Sequence, residues 1–348
     1  RKLATFAILG YMIGYIAIGF LTMGKTLQPI LGWNIYTIVA VVAVIAGIYI
    51  TFGGQTAVIF TDLAQGFILI FAGILIFVLG INYVGGFSIF WNSLSPEFKL
   101  PLAHFNEPSN FNFSGIFWQD GVAGSVGFLF MNQGLIMRFM ATKSVNEGRK
   151  AAAFNILFLL PISTIVVSNA GWVGKSISIL TPEKWDATVK LDHVFTQVAD
   201  IITTSEVVFA FIIAAVAAAL MSTVDTLINA VAAVVVNDVY KPIVKDRDDK
   251  HYLKVAMIVS AGATALGAIS VVFFNNFPTL YEAHGFFHST MTPPLVVAIF
   301  LGIFWKRYTT EAAVATFIGG AFLMWLGNKY PGILIAPFDH GIEMDPEH

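Results

Sequence analysis

The chain contains no cysteine. Disulfides, thiolate metal sites and cysteine nucleophiles are therefore excluded, and the redox compartment is left open. Charge is nearly as scarce. Asp, Glu, Lys and Arg make up 11% of the 348 residues, against about 25% in a soluble domain. The net charge of −2 offers no basic surface, so nucleic-acid binding has no support. Against these shortages stand 57% hydrophobic residues and a mean hydropathy of +0.78. A soluble protein of this length could not hide so much apolar surface, and the repeated apolar runs of about 18 residues or more read as membrane-spanning helices. No signal peptide is visible, and Arg1-Lys2 in place of an initiator Met predicts that part of the protein precedes this sequence.

The fold class is therefore an all-α polytopic membrane protein, expected as one transmembrane domain over 1–348. Nine spans are predicted, at 3–24, 34–52, 56–83, 117–138, 150–174, 205–237, 253–274, 283–304 and 310–328. With the start of the chain inside, the inner segments hold 13 of the 19 Lys and Arg, as expected if positive loops stay cytoplasmic. The C-terminal tail then lies outside, and membrane lipid is an obligatory partner.

Polar residues inside the spans mark the candidate site. In span 205–237, Ser222, Asp225, Thr226 and Asn229 fall on one helical face at i, i+3, i+4 and i+7, with Thr223 beside them. A carboxylate at the centre of a membrane helix costs roughly 2.5 to 3.5 kcal/mol on insertion scales. Hydroxyls and a carboxylate together form a hard-oxygen surface suited to a small cation; the alternative is a polar seam that holds helices together. Asp62 is a second intramembrane acid, several residues past a tight inner turn expected at Gly53-Gly54. It is either a helix N-terminal charge or part of an ion site. Span 117–138 carries Gly121, Gly124, Gly127 and Gly134 with Ser125, Asn132 and Gln133 among them. That pattern suits a broken helix exposing backbone to substrate or ion, or simply close packing. Arg138 ends it on the inner side. Pro161 predicts a kink in span 150–174, with Ser163 and Thr164 to satisfy freed carbonyls. Pro293-Pro294 predict a kink or break in span 283–304. Glu282, His284 and His288 lie near the outer end of that span, where they suit a gate or a pH-sensitive rim better than a metal site.

Three stretches carry a resemblance. GGQTAVIFTDLAQ (Gly53 to Gln65), NQGLIMRFMATKSVNEGRKA (Asn132 to Ala151) and ALMSTVDTLINAVAAVVVNDVYK (Ala219 to Lys241) resemble signature segments of the sodium/solute symporter family. LGIFWKR (Leu301 to Arg307) fits as well. The resemblance implies a LeuT-type inverted-repeat helix bundle, with the N-terminal helices missing from this sequence. It implies sodium-coupled symport of a small polar organic solute, a sugar or small carboxylate, with Na+ as coupling ion and no enzyme activity. By position, a first sodium site would use the Ala219 carbonyl, Ser222 and Thr223. A second would use Asp62, Ser222, Asp225 and Thr226, with Asp225 standing where a hydroxyl is usual. Two close carboxylates would call for a cation or a proton between them. Phe128 would be an aromatic inner gate, with Ser125 and Leu129 at neighbouring contact positions and Asn132 and Gln133 following on the same broken helix. Gly285 falls where sugar-transporting members tend to have Gln, with His284 adjacent, which weakens a sugar assignment. A proton-coupled symporter or a transporter-like sensor domain are the alternatives.

Overall fold

The computed structural model describes residues 2–99, 125 and 132–330. Helices and their connecting turns make up this described part, with no strand among the described residues. The principal helices are α1 (Lys2–Leu31), α2 (Ile35–Tyr83), α3 (Gln133–Met140), α4 (Val145–Phe154), α5 (Leu160–Leu180), α6 (Val194–Ile202), α7 (Glu206–Val234), α8 (Asp249–Phe274), α9 (Leu280–Phe304) and α10 (Thr310–Lys329). Among the described residues, eight stretches are long and apolar enough to cross a membrane. Span 117–138 lies largely outside the described residues; only its inner end is seen, as α3.

Local chemistry sets the helix ends. α1 continues past the predicted residue 24 to Leu31, because its polar extension is held by Thr26 Oγ1 donating to the Thr22 carbonyl at 2.8 Å and by Lys25 pairing with Asp192. Hydropathy cannot register such an extension. Gly32 then ends the helix at φ 65°, and Asn34 caps α2 by accepting from the Tyr36 amide. α2 carries two predicted spans in one helical run, interrupted only at Gly54 (φ 62°, ψ −173°). The expected inner turn is thus a single-residue kink, in the left-handed φ range that side-chain-bearing residues avoid. α4 and α5 form one run through a π-helical turn at Asn155–Leu159, just before Pro161. The proline is accommodated by that wider turn. Ser163 and Thr164 both donate to the Leu160 carbonyl instead of to the carbonyl that Pro161 frees. α9 runs through Pro293 and Pro294 as one helix, so of the kink or break expected there the break does not occur. Neighbouring helices and hydroxyls make interior prolines tolerable in membrane helices, and here Gly320 of α10 packs against the Pro294 ring.

Two apolar clusters organise the packing. The first is built around α1, whose Tyr11, Met12, Ile16, Phe20 and Leu21 have essentially no exposure; α2 before the kink, α7, α8 and α9 surround it. The second joins α2 after the kink to α5, α6 and the start of α7 through Ile76, Val173, Ile177, Val198 and Ile212. α7 therefore passes through both clusters, with Ile212 in one and Val224, Leu227 and Ile228 in the other. Large apolar side chains also cover the outside, among them Ile48, Phe52, Phe67, Leu157, Leu266 and Phe322. Such a surface is stable only against lipid, so the protein is an integral membrane protein.

At one end of the bundle, Lys25, Asp192 and the α9 N-terminus meet. Asp192 accepts from Lys25 Nζ at 2.6 Å and from the Leu280 amide at 3.0 Å. These are three segments that the charge pattern assigned to one side of the membrane.

The kink at Gly54 should tolerate no side chain. Gly54→Ala is expected to destabilise the protein by about 1–2 kcal/mol through its φ, although no atom crowds the position. Gly66→Ala, also uncrowded and at helical φ, should be neutral or slightly stabilising. Thermal unfolding in detergent that gave both variants the same midpoint would contradict this.

Candidate functional site

The polar seam of α7 is buried where α2, α3 and α7 meet. Asp225 has no solvent exposure and Thr226 is buried, as helical spacing and the apolar flanks require. Tyr49, before the kink in α2, donates to Asp225 Oδ2 at 2.5 Å. Asp62, after the kink, lies 3.4 Å from the Thr226 hydroxyl, which is also 3.4 Å from Asp225 Oδ1. The kink thus lets two parts of one helical run address adjacent residues of α7.

Arg138 completes the seam. Its guanidinium Nη2 donates both to Asp62 Oδ2 and to Thr226 Oγ1. Thr226 in turn donates its own proton to the Ser222 carbonyl at 2.8 Å. The sequence placed Arg138 as an inner-side charge; the structure turns it inward, one third exposed, against an Asp62 side chain that is 10% exposed. Gly134 explains the approach. A Cβ at Gly134 would lie 2.3 Å from Thr226 Cγ2, so only glycine lets α3 lie this close to α7. Arg138 follows four residues later, on the same face. A protein cation, Arg138, thus stands beside Asp62, one of the two acids between which a cation or a proton was expected. Asp62 Oδ1, Gln65 Oε1 and Arg138 Nε remain buried without partners among the described residues.

The other predicted residues divide into separate groups. Ser222 and Ala219 are half-buried and Thr223 is exposed. Ser222 is the more open end of the face that carries Asp225, and among the described residues no hydrogen bond joins the Ser222 or Thr223 side chain to a second helix. Asn229 donates to the Asp225 carbonyl at 3.1 Å, a bond within its own helix. Asn132 caps α3, its Oδ1 accepting from the Leu135 amide at 3.0 Å, and Gln133 is the first residue of that helix. Ser125 is exposed; Phe128 and Leu129 lie outside the described residues. Gly285 is buried.

His284 and His288 are not a rim. His288 is 2% exposed. Its Nε2 is 3.1 Å from His284 Nε2, and Thr292 Oγ1 is 3.3 Å from its Nδ1. Tyr15 of α1 reaches His284 at 3.2 Å. The i, i+4 spacing that placed both rings on one face also directed them towards α1, where burial was invisible from α9 alone. No third Asp, Glu or His joins them among the described residues.

Two residues of the seam escaped the sequence reading. Arg138 had a signal, a lone arginine four residues after a glycine in an apolar helix. Tyr49 had none, because its role depends on which helix lies opposite.

The comparisons with known proteins agree on one family. The family model for the Sodium:solute symporter family matches residues 1–320. The sodium/glucose cotransporter of Vibrio parahaemolyticus is 22% identical over 90% of this chain and 62% of its own length. The sodium/sialic acid symporter of Aliivibrio fischeri is 25% identical over 94% of this chain and 65% of its own. The high-affinity proline transporter of Bacillus subtilis is 26% identical over 92% and 65%. The chain thus spans about two thirds of the length of these relatives. A solved structure of a Na+-coupled sialic acid symporter, substrate-bound and outward-open, superposes with a TM-score of 0.70 at 18% identity, over 94% of this chain and 74% of the other. The fold is therefore shared, the LeuT-type bundle that the resemblance implied.

The close approach at Gly134 generates a test. Gly134→Ala should destabilise by about 1–3 kcal/mol through overpacking. Thr226→Ser removes the methyl group that the new Cβ would strike, so the double variant should recover part of the loss. A double variant no more stable than Gly134→Ala would show that α3 does not rest on Thr226.

Proposed function

The chain belongs to the sodium:solute symporter family, and on that premise we propose that it forms one transmembrane domain of a symporter driven by sodium, moving a small polar organic solute by alternating access. The observation that carries this reading is the oxygen-rich seam on α7, from the half-buried Ser222 to the fully buried Asp225, inside a helix that is otherwise almost entirely apolar. The Ala219 carbonyl and the Ser222 and Thr223 hydroxyls would hold one sodium, completed by oxygens from outside the described residues. Asp62, Ser222, Asp225 and Thr226 would serve a second cation. The solute would contact the segment around Ser125, Phe128, Leu129, Asn132 and Gln133, and α9 at His284 and Gly285. The relatives carry glucose, sialic acid or proline by name, which supports a small polar solute and selects none of them.

Sodium and solute stabilise the same conformer in this reading, so each raises the affinity of the other. A potential of 100 mV supplies about 2.3 kcal/mol for each sodium carried fully across. That is roughly a fifty-fold solute gradient per ion. The positive-inside pattern supports a cytoplasmic start in the plasma membrane, with the C-terminal tail outside. A reading as an enzyme has no support from this family of transporters.

A second reading is proton coupling. It is favoured by one observation, the Tyr49 hydroxyl 2.5 Å from a carboxylate with no solvent exposure. Here Asp225 carries the proton in place of a second sodium.

Sodium binding to the full-length protein, compared with potassium by calorimetry, tests the reading. Sodium-selective binding is expected, and Ser222→Ala should raise the half-saturating concentration about tenfold, the equivalent of one contact worth about 1.4 kcal/mol. Sodium activation unchanged by Ser222→Ala would remove that residue from the site. Binding indifferent to sodium but strengthened as pH falls would replace the coupling ion with a proton.

A further inference from the structure

Sodium coupling does not explain why an arginine occupies the seam. Arg138 Nη2 donates to Asp62 Oδ2 and Thr226 Oγ1 together. Those are two of the oxygens a second small cation would need. We propose that Arg138 is a tethered cation: its guanidinium fills the second-ion position in this conformer, and the ion enters only as Arg138 leaves. The proposal rests on the sodium-coupled reading and extends it, because it says what the seam holds before that ion arrives and what moves when it does.

The hydrogen bonds make the two occupants exclusive. The Thr226 proton is committed to the Ser222 carbonyl at 2.8 Å, so its hydroxyl meets Arg138 with a lone pair. A metal ion needs that same lone pair and the same carboxylate oxygen. Two cations sharing these acceptors in a buried site would repel strongly, because little water screens them. Charge points the same way. With both acids ionised, two carboxylates face one guanidinium, which leaves the seam short of one positive charge. The fit of Arg138 is also incomplete. Asp62 Oδ1, Gln65 Oε1 and Arg138 Nε are buried and unpartnered among the described residues, and unmet buried polar groups lower the stability of the arrangement that contains them. Asp62 Oδ1 is thus an acceptor left over beside the guanidinium, which an ion could use without displacing a hydrogen bond.

The position of Arg138 gives its departure a consequence. It sits in the last turn of an eight-residue helix, and the Ala141 turn then leads to the Ser144 cap of α4. Its side chain is one third exposed, so a path out exists. Met137, the residue before Arg138, is half-buried and packs on the first apolar cluster. While Arg138 is engaged, α2, α3 and α7 are tied together through one guanidinium. Once an ion replaces it, α3 loses that tie. Ion occupancy is thereby converted into freedom of α3.

These 348 residues contain no cysteine, so Met137→Cys, with any cysteine elsewhere in the protein replaced by serine, places a single thiol beside the tie. In full-length protein carrying that reporter, sodium is expected to speed thiol labelling and potassium is not. Arg138→Gln should make labelling fast and independent of sodium, and should lower the half-saturating sodium concentration roughly fivefold if Arg138 is engaged about four-fifths of the time. Arg138→Lys, which keeps a tethered charge, should restore the sodium response. An unmutated protein provides a check that does not depend on folding of a variant. Sodium should increase modification of Arg138 by a dicarbonyl reagent, read by mass spectrometry, while potassium leaves it unchanged. Sodium binding that is intact but leaves Arg138 modification unchanged or reduced would overturn the tethered-cation proposal alone. So would an Arg138→Gln protein with unaltered or weakened sodium affinity. A protein that binds no sodium would overturn this proposal together with sodium coupling.

Discussion

Asp225 is a carboxylate with no solvent exposure in the middle of an apolar helix, and much of the surrounding architecture answers that one constraint. An ion in such a place must be paired, hydrogen-bonded or neutralised. The Tyr49 hydroxyl provides one hydrogen bond and Thr226 stands at the other oxygen. Arg138 brings positive charge within one residue of it, through Thr226 and Asp62. Each partner comes from a different stretch of chain, so the seam exists only if α2 kinks at Gly54 and α3 closes on α7 at Gly134. The energetic demand of one buried acid is therefore distributed over the placement of three helical segments.

The packing gives that seam a firm frame on one side and an open one on the other. α1 is wrapped by α2, α7, α8 and α9, and its buried aromatic and aliphatic side chains fill the first cluster. α7 is anchored in both clusters, so the residues between Ile212 and Val224 link two packed bodies. The half-buried Ala219 and Ser222 and the exposed Thr223 fall within that linking stretch. In the proposed sodium-coupled reading, an ion bound at such a place would respond to how the two bodies are arranged.

Two further polar groups knit the bundle away from the seam. The Tyr15–His284–His288–Thr292 chain joins α1 to α9 through side chains with little contact with solvent. The Lys25–Asp192 pair also receives the Leu280 amide, so a carboxylate sits at the positive end of the α9 dipole. Both reach α9, the helix with two internal prolines, and both tie it to α1 or to the segment that packs beside α1. α10 packs chiefly on α9 and is otherwise turned outward.

How much of this was legible in the sequence follows from the range of each interaction. Composition alone required membrane-spanning helices, because nothing else buries so much apolar surface with so little charge. The breaking residue between two spans was local and readable, as Gly54 shows, although the expected turn is a single-residue kink. The face of α7 carrying Ser222, Asp225 and Thr226 followed from helical periodicity, and Asp62 stood out as a charge without water. The partners of those acids did not follow. Tyr49 is an ordinary aromatic until Gly54 turns α2, and Arg138 is an ordinary inner-side charge until Gly134 admits α3 to α7. His288 passed for a rim residue because one helix cannot reveal its neighbour. A sequence encodes where polar groups sit along a helix, through periodicity and the cost of burying charge. Which of those groups meet depends on contacts between residues far apart in the chain, and only the packed structure determines those.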